Sequence, residues 1–295
     1  MSHSNQNLMY LMRKARDLMI SGDLEKHRQS QDSLGAMMSH TKELTYTDVF
    51  IDGMHAEWVC VNRAHSRKFI ILYCHGGGYS SGSCMYARTL TSKLAAVTAM
   101  DVLCFDYRLA PENPYPAALE DALKVWNYLM LQGYGARDII VAGDSAGGNL
   151  ALSLVHMLKE QNRFLPRGLV LLSPWTDLTS SGKSHETKAD VDPVLDAAYL
   201  KAACEAYADG YDLTEPKISP LFGDFKGYPS TYIQVGSNEI LYSDALRLKR
   251  KMATAGVSVK LDLFEGMWHV FQMAPIKRTH DAMDKIAEFI FQICL

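Results

Sequence analysis

The sequence predicts an α/β fold, one mostly parallel sheet of about eight strands flanked by helices. Three observations carry this. From about residue 46 onward, short β-rich runs alternate with helical stretches, the pattern of a parallel sheet covered on both faces. The runs at 69–74, 102–105, 139–142 and 169–172 are apolar without alternation, as strands buried on both faces are. A chain of 295 residues with 48% hydrophobic residues can fill one large core without disulfide or metal staples.

The elements follow in order. The first 45 or so residues read as helical, because Leu8, Met9, Leu11, Met12, Ala15, Leu18 and Met19 recur at spacings of three and four. Strands near 45–61 have no room for a crossover helix between them, so they should pair as antiparallel hairpins. Further strands are expected at 57–61, 69–74, 102–107, 138–142, 169–173, 231–235 and 257–264, with helices at 84–98, 117–132, 146–161, 242–255 and 276–293. One stretch breaks the rhythm. Residues 178–228 carry turn residues and a short helical piece at 193–208, and no strand is evident between Ser173 and Thr231. That is too long for a simple connection. It reads as a cap insertion completed by the N-terminal helical part (1–45) over a core of 46–177 and 229–295.

Charge and cysteine usage exclude several function classes. Lys plus Arg total 30 against 33 Asp plus Glu, with no basic run, which argues against nucleic acid or an anionic membrane as partner. The six cysteines form no CxxC pair and no ligand cluster in the sequence, so they read as buried thiols of a reducing compartment. The first twenty residues hold no apolar stretch of signal-peptide type, and no run approaches the ~20 residues needed to cross a bilayer. A cytoplasmic protein is expected.

The chemistry is concentrated in a few motifs. Gly143-Asp144-Ser145-Ala146-Gly147-Gly148 fits G-x-S-x-G, follows a predicted strand and opens a predicted helix. That is the setting of a nucleophile elbow, where a sharp strand-to-helix turn exposes the serine oxygen at the sheet edge. His75-Gly76-Gly77-Gly78 directly follows the 69–74 strand, and bare backbone there can aim N–H groups at a developing oxyanion. The oxyanion donors expected are the N–H groups of Gly77, Gly78 and Ala146. His75 reads as a loop-shaping hydrogen bonder, since the elbow fold places nucleophile, acid and histidine in that order along the chain. Past residue 258 only His269 and His280 remain. His269 lies in a loop just after the last strand and His280 inside the last helix, so His269 is the candidate base. The acid should follow the 231–235 strand, where Glu239 and Asp244 are the candidates. Glu239 is favoured, because Asp244 sits at a helix start where capping accounts for it.

These motifs resemble the hormone-sensitive-lipase-like family of α/β-hydrolases. The resemblance is carried by HGGG at 75–78, Asp106-Tyr107-Arg108-Leu109-Ala110-Pro111-Glu112, Pro116-Ala117-Ala118 with Asp121, GDSAGG at 143–148 and Ser173-Pro174-Trp175-Thr176-Asp177-Leu178, over about residues 65–272. It implies a serine carboxylesterase acting through an acyl-enzyme, with a helical cap, no cofactor and no metal. Members often carry Asp-Pro-Leu at the acid, where Glu239-Ile240-Leu241 stands here. Asp144, Asp177 and Glu112 read as structural hydrogen bonders. The expected partner is a small-molecule ester of short or medium acyl chain, with no stable membrane association, and a homodimer through the last strand stands as one assembly. An amidase or N-deacylase with the same triad is the nearest rival. A non-catalytic small-molecule receptor is another; plant gibberellin receptors resemble this family but have lost the catalytic histidine, whereas Ser145 and His269 are both present here.

Overall fold

The computed structural model describes residues 9, 10, 12–14, 23–38 and 43–295. Of the N-terminal apolar positions, Leu8, Leu11, Ala15, Leu18 and Met19 lie outside these residues. Helical residues at 9–10 and 12–14 precede helix α1 (Leu24–Met38). The elements that follow are β1 (Leu44–Ile51), β2 (Met54–Val61), β3 (Ile70–Cys74), α2 (Cys84–Thr98), β4 (Asp101–Phe105), α3 (Ala117–Leu131), β5 (Ile139–Asp144), α4 (Ala146–Glu160) and β6 (Gly168–Leu172). Then come α5 (Ser184–Thr187), α6 (Ala197–Ala208), β7 (Ser230–Gly236), α7 (Tyr242–Thr254), β8 (Val259–Phe264) and α8 (Lys277–Cys294).

The strands form one eight-stranded sheet in the order β1-β2-β4-β3-β5-β6-β7-β8. β1 and β2 are an antiparallel hairpin and β2 runs antiparallel to β4; every later pairing is parallel. The expected α/β class and the N-terminal hairpin are therefore what the chain forms. β3, β4, β5 and β6 are buried at every position, as their unbroken apolar runs require. A fully buried Ile, Leu or Val contributes roughly 1.5–3 kcal/mol, so these four strands dominate the stability of the sheet. One apolar layer fills one face with α3, α4 and α7. The other face is filled by α2 and α8.

Helix boundaries follow local chemistry. α2 begins where Ser83 adopts extended backbone and its hydroxyl accepts the Tyr86 N–H. α6 begins at Asp196, whose carboxylate accepts the Tyr199 N–H at 2.7 Å. Each such cap is worth about 1 kcal/mol.

Between β6 and β7 the chain forms α5, α6 and a 3₁₀ turn (Pro220–Phe222), and no strand. The N-terminal residues pack over the same end of the sheet. Arg28 of α1 donates to the Ser80 and Ala110 carbonyls and to both oxygens of Glu112. Arg13 donates to the Val191 carbonyl at 2.8 Å. Met9 is buried against Met267, Trp268 and Phe271. No helix among the described residues is long and apolar enough to cross a membrane.

Candidate active site

The sheet order dictates where the candidate residues meet. Ser145 follows β5, Ser173 follows β6, Glu239 lies just past β7 and His269 past β8, and these are four adjacent parallel strands. All four residues therefore emerge at one edge of the sheet, where α/β proteins gather their sites. Strands stand about 4.8 Å apart, so β8 lies roughly 14 Å from β5. The histidine loop must reach back across two strands, and hydrogen bonds trace that path. The Ser237 N–H donates to Phe264, the Asn238 N–H to Met267, and the Gly266 N–H to the Ser237 hydroxyl, lacing the loop onto the turn after β7. The Val270 N–H then donates to the Ser173 hydroxyl at 3.2 Å, at the end of β6. From the other side, the Ser145 N–H donates to Leu172 O at 2.9 Å and the Trp175 N–H to Ser145 O at 3.1 Å. The backbones of residues 145 and 270 are thus both bonded within residues 172–175.

Ser145 has φ 53° and ψ −120°. This is strained backbone for a residue with a Cβ, at a cost on the order of 1–3 kcal/mol. Glycines at both flanks make the turn sterically feasible. A Cβ on Gly143 would stand 2.4 Å from Gly147 O, and one on Gly147 would stand 2.0 Å from Cys74 O. The elbow and the strand bearing the HGGG loop touch backbone to backbone, which no larger residue permits.

His269 is buried, and its Nδ1 lies 3.3 Å from Glu239 Oε2. A carboxylate can only accept, so Nδ1 carries the proton and Nε2 is the free basic nitrogen. Burial alone would push this imidazole down. The hydrogen bond and charge of Glu239, with the charges of Asp192 and Asp144, outweigh it and raise the imidazole above its ordinary 6.5. Glu239 is fully buried; its Oε1 accepts the Ser173 hydroxyl at 2.8 Å and the Gly236 N–H. Asp244, the other acid candidate, faces elsewhere. Its Oδ2 accepts the Thr176 and Asp177 N–H groups at 3.0 Å each, and its Oδ1 faces His185 Nε2 at 3.0 Å. His280 is exposed on α8.

The glycine loop lies beside the elbow. The Gly77 carbonyl accepts the Ser80 and Ser81 N–H groups. The N–H groups of Gly77, Gly78 and Ala146 donate to no protein acceptor among the described residues. Asp144 ties this loop to the elbow: its Oδ1 accepts Tyr73 OH at 2.7 Å and the Gly76 N–H at 3.0 Å, and its Oδ2 accepts Tyr86 OH at 3.1 Å. His75 is buried, donates from Nδ1 to Gly76 O at 2.8 Å and stacks on Tyr107 at 4.0 Å. Burial holds its imidazole below the ordinary value, hence neutral. Asp177 accepts from Thr179, Ser181 and Arg247, and Glu112 from Arg28.

α6 closes over the loop. A Cβ on Gly78, at φ 64°, would come within 2.7 Å of the Tyr199 hydroxyl and 3.3 Å of the Ala203 Cβ. Ser145 and His269 are only 7% and 6% exposed. Cavities of about 490 and 480 Å³ occur at the opposite, N-terminal ends of the strands, lined by Trp58, Cys60, Arg67 and Asp101 among others. They lie away from the strand ends that carry Ser145, Glu239 and His269.

Two residues near the base escaped the sequence reading. Ser173 stands in the quoted Ser-Pro-Trp motif, but nothing in the motif says that its hydroxyl binds both the acid and the histidine loop. Asp192 is fully buried; it accepts the Ile240 N–H at 2.8 Å and the Val194 and Leu195 N–H groups, joining the inserted segment to the turn that holds Glu239. Ser173→Ala removes the hydroxyl that donates to Glu239 and accepts from Val270. It is expected to lower kcat about tenfold with KM little changed, as steady-state kinetics will read. An unchanged kcat would deny Ser173 a positioning role.

A family model described as alpha/beta hydrolase fold matches residues 71–273. The chain belongs to this family, the α/β-hydrolases. It is 42% identical over 223 residues to an esterase of Acinetobacter venetianus, covering 75% of this chain and 74% of that one. It is 40% identical over 216 residues to an acetyl-hydrolase of Streptomyces hygroscopicus, covering 73% and 72%. An esterase of the bacterial hormone-sensitive lipase family superposes with a TM-score of 0.91 at 31% identity, over 98% of this chain and 97% of that one. This α/β-hydrolase is a carboxylic ester hydrolase of the hormone-sensitive-lipase-like type. The resemblance drawn from the HGGG and GDSAGG motifs is thereby borne out.

Proposed function

We propose that the enzyme hydrolyses short- to medium-chain carboxylic esters with Ser145 as nucleophile, His269 as general base and Glu239 as the acid that orients it. The observation that carries this reading is the path of bonds through residues 172–175, which leads Ser145 and the His269 loop to the same strand end. His269 Nε2 takes the Ser145 proton as Oγ attacks the ester carbonyl. The N–H groups of Gly77, Gly78 and Ala146 receive the oxyanion, and loss of one such donor costs about 10²–10³ in rate. His269 then protonates the leaving alcohol. Water attacks the acyl-enzyme by the same route and regenerates Ser145. Asp144, hydrogen-bonded to the glycine loop, holds two of the donors in register with the elbow.

In this reading the N-terminal helical residues and the insertion act as one cap. Arg28 on the glycine loop, Tyr199 over Gly78 and Met9 on Trp268 support it. A closed, nearly solvent-free serine favours small acyl groups, in keeping with the acetyl-hydrolase relative. We place the enzyme in the cytoplasm, since all six cysteines are free thiols.

A series of p-nitrophenyl esters tests the proposal. kcat/KM is expected to be highest for acetate or butyrate and to fall by more than about tenfold at long acyl chains. Faster turnover of matched amides would favour an amidase, and tight binding without turnover would favour a receptor.

A further inference from the structure

Away from the triad, the described residues hold a cluster with the chemistry of a metal site. One ligand atom from each of His55, Cys84 and Asp106 lies within 4.8 Å of the other two. The three come from β2, the first residue of α2 and the loop after β4. His55 Nδ1 is 2.7 Å from Asp106 Oδ2, while its Nε2 faces Asp48 Oδ1 at 3.1 Å. A ligating imidazole takes just such an outer carboxylate, which fixes the tautomer and strengthens the other nitrogen as a ligand. Asp106 is held as well: its Oδ1 accepts the Cys84 N–H at 2.6 Å, which leaves Oδ2 turned to His55. Cys84 is 1% exposed, whereas the His55 and Asp106 side chains are 33% and 34% exposed. The thiol is a floor, and the imidazole and carboxylate are a rim open to water.

We propose that His55 Nδ1, Cys84 Sγ and Asp106 Oδ2 bind one zinc-like divalent cation, with Asp48 as the outer partner of the imidazole. One nitrogen, one sulfur and one oxygen with a fourth position left to water suit zinc. Magnesium and calcium prefer all-oxygen sites. Bonds of about 2.0–2.3 Å put tetrahedral ligands roughly 3.3–3.8 Å apart. His55 Nδ1 and Asp106 Oδ2, 2.7 Å apart, must therefore separate by roughly 0.6 Å, while the thiol, within 4.8 Å of both residues' ligand atoms, closes on them by about 1 Å at most. The proton balance is simple. A bound cation needs a bare His55 Nδ1 and a Cys84 thiolate, so the protons these two atoms carry without metal pass to solvent as the dication enters. Cys84 ends the segment that begins with the glycine loop, and Asp106 precedes Tyr107, whose ring stacks on His75. A bound ion would cross-link the two segments that shape that loop.

Cobalt(II) titration of the full-length, metal-free enzyme tests this. Cys60 and Cys294 are partly exposed thiols, so both are replaced by serine in the parent. The expected result is one equivalent bound with a sulfur-to-cobalt charge-transfer band, displaced by zinc and not by magnesium. Cys84→Ser should abolish the band. His55→Ala, at a partly exposed strand position, should weaken zinc binding at least tenfold, and Asp48→Asn about tenfold. Melting temperatures without metal identify any variant that has lost its fold, and His55→Ala then carries the test alone. A parent that binds no cobalt, a Cys84→Ser protein that keeps the band, or a His55→Ala protein with parental zinc affinity each overturns the proposal.

Discussion

Ser145→Ala is expected to lower kcat on p-nitrophenyl butyrate by roughly 10⁵- to 10⁶-fold, the scale at which loss of a serine nucleophile registers. The residual rate then reflects only the oxyanion donors and substrate positioning, neither of which the substitution touches. His269→Ala should fall to a similar floor. The double variant should fall no further, because nucleophile and base act as one unit and their losses do not add. The fold should survive. The Ser145 side chain makes no capping hydrogen bond to α4. Alanine inherits the same φ of 53°, so the backbone strain is unchanged and the melting temperature should stay close to the parent's. A folded Ser145→Ala protein that keeps more than about a tenth of the parental rate would mean that another residue attacks the ester.

How much of this was legible beforehand depends on the range of the signal. α2 spans the expected 84–98, because apolar spacing and the Ser83 cap lie within one short window. β5 was expected to stop at 142 but runs to Asp144. Glycine and aspartate are weak strand formers, and the ladder that holds them, Cys74 with Gly143 and Leu172 with Asp144, is contributed by other strands. The converse holds at 102–107, where the apolar run predicts a strand to Tyr107 but β4 ends at Phe105 and Tyr107 stacks on His75. Four-residue α5 is too short for periodicity to mark. At the site, Ser145 and His269 stood out because motif and chain order single them out. Ser173 and Asp192 did not, because their hydrogen bonds join loops 48 to 97 residues apart in the chain through one hydroxyl and one carboxylate.

Glu239→Gln is expected to cost about 10³- to 10⁴-fold in kcat, far more than Asp244→Asn, and the hydrogen bonds explain the ranking. Oε1 of Glu239 receives two donors, the Ser173 hydroxyl and the Gly236 N–H, whereas Oε2 faces only His269 Nδ1. A glutamine must turn its oxygen to the two donors, since the reverse orientation sets its NH₂ against both, at about 1 kcal/mol or more for each lost bond. Its NH₂ then points at His269, Nδ1 must accept, and the ring proton moves to Nε2. That tautomer cannot take the Ser145 proton. The pH profile supplies a second readout. The charge and hydrogen bond of Glu239 help to raise the His269 imidazole, and only the neutral ring is a base. The acid limb of kcat/KM should therefore lie above 6.5 in the parent and move to lower pH in Glu239→Gln. Asp244→Asn meets a different environment. Its oxygen can keep the Thr176 and Asp177 N–H groups while its NH₂ takes the place of the oxygen that faces His185 Nε2. The variant should lose on the order of 1–2 kcal/mol of stability and keep most of its turnover per folded molecule. If Asp244→Asn instead abolished turnover at full folding while Glu239→Gln kept its rate, the acid would be Asp244, and the pairing of His269 with Glu239 would be a buried ion pair without a part in proton transfer.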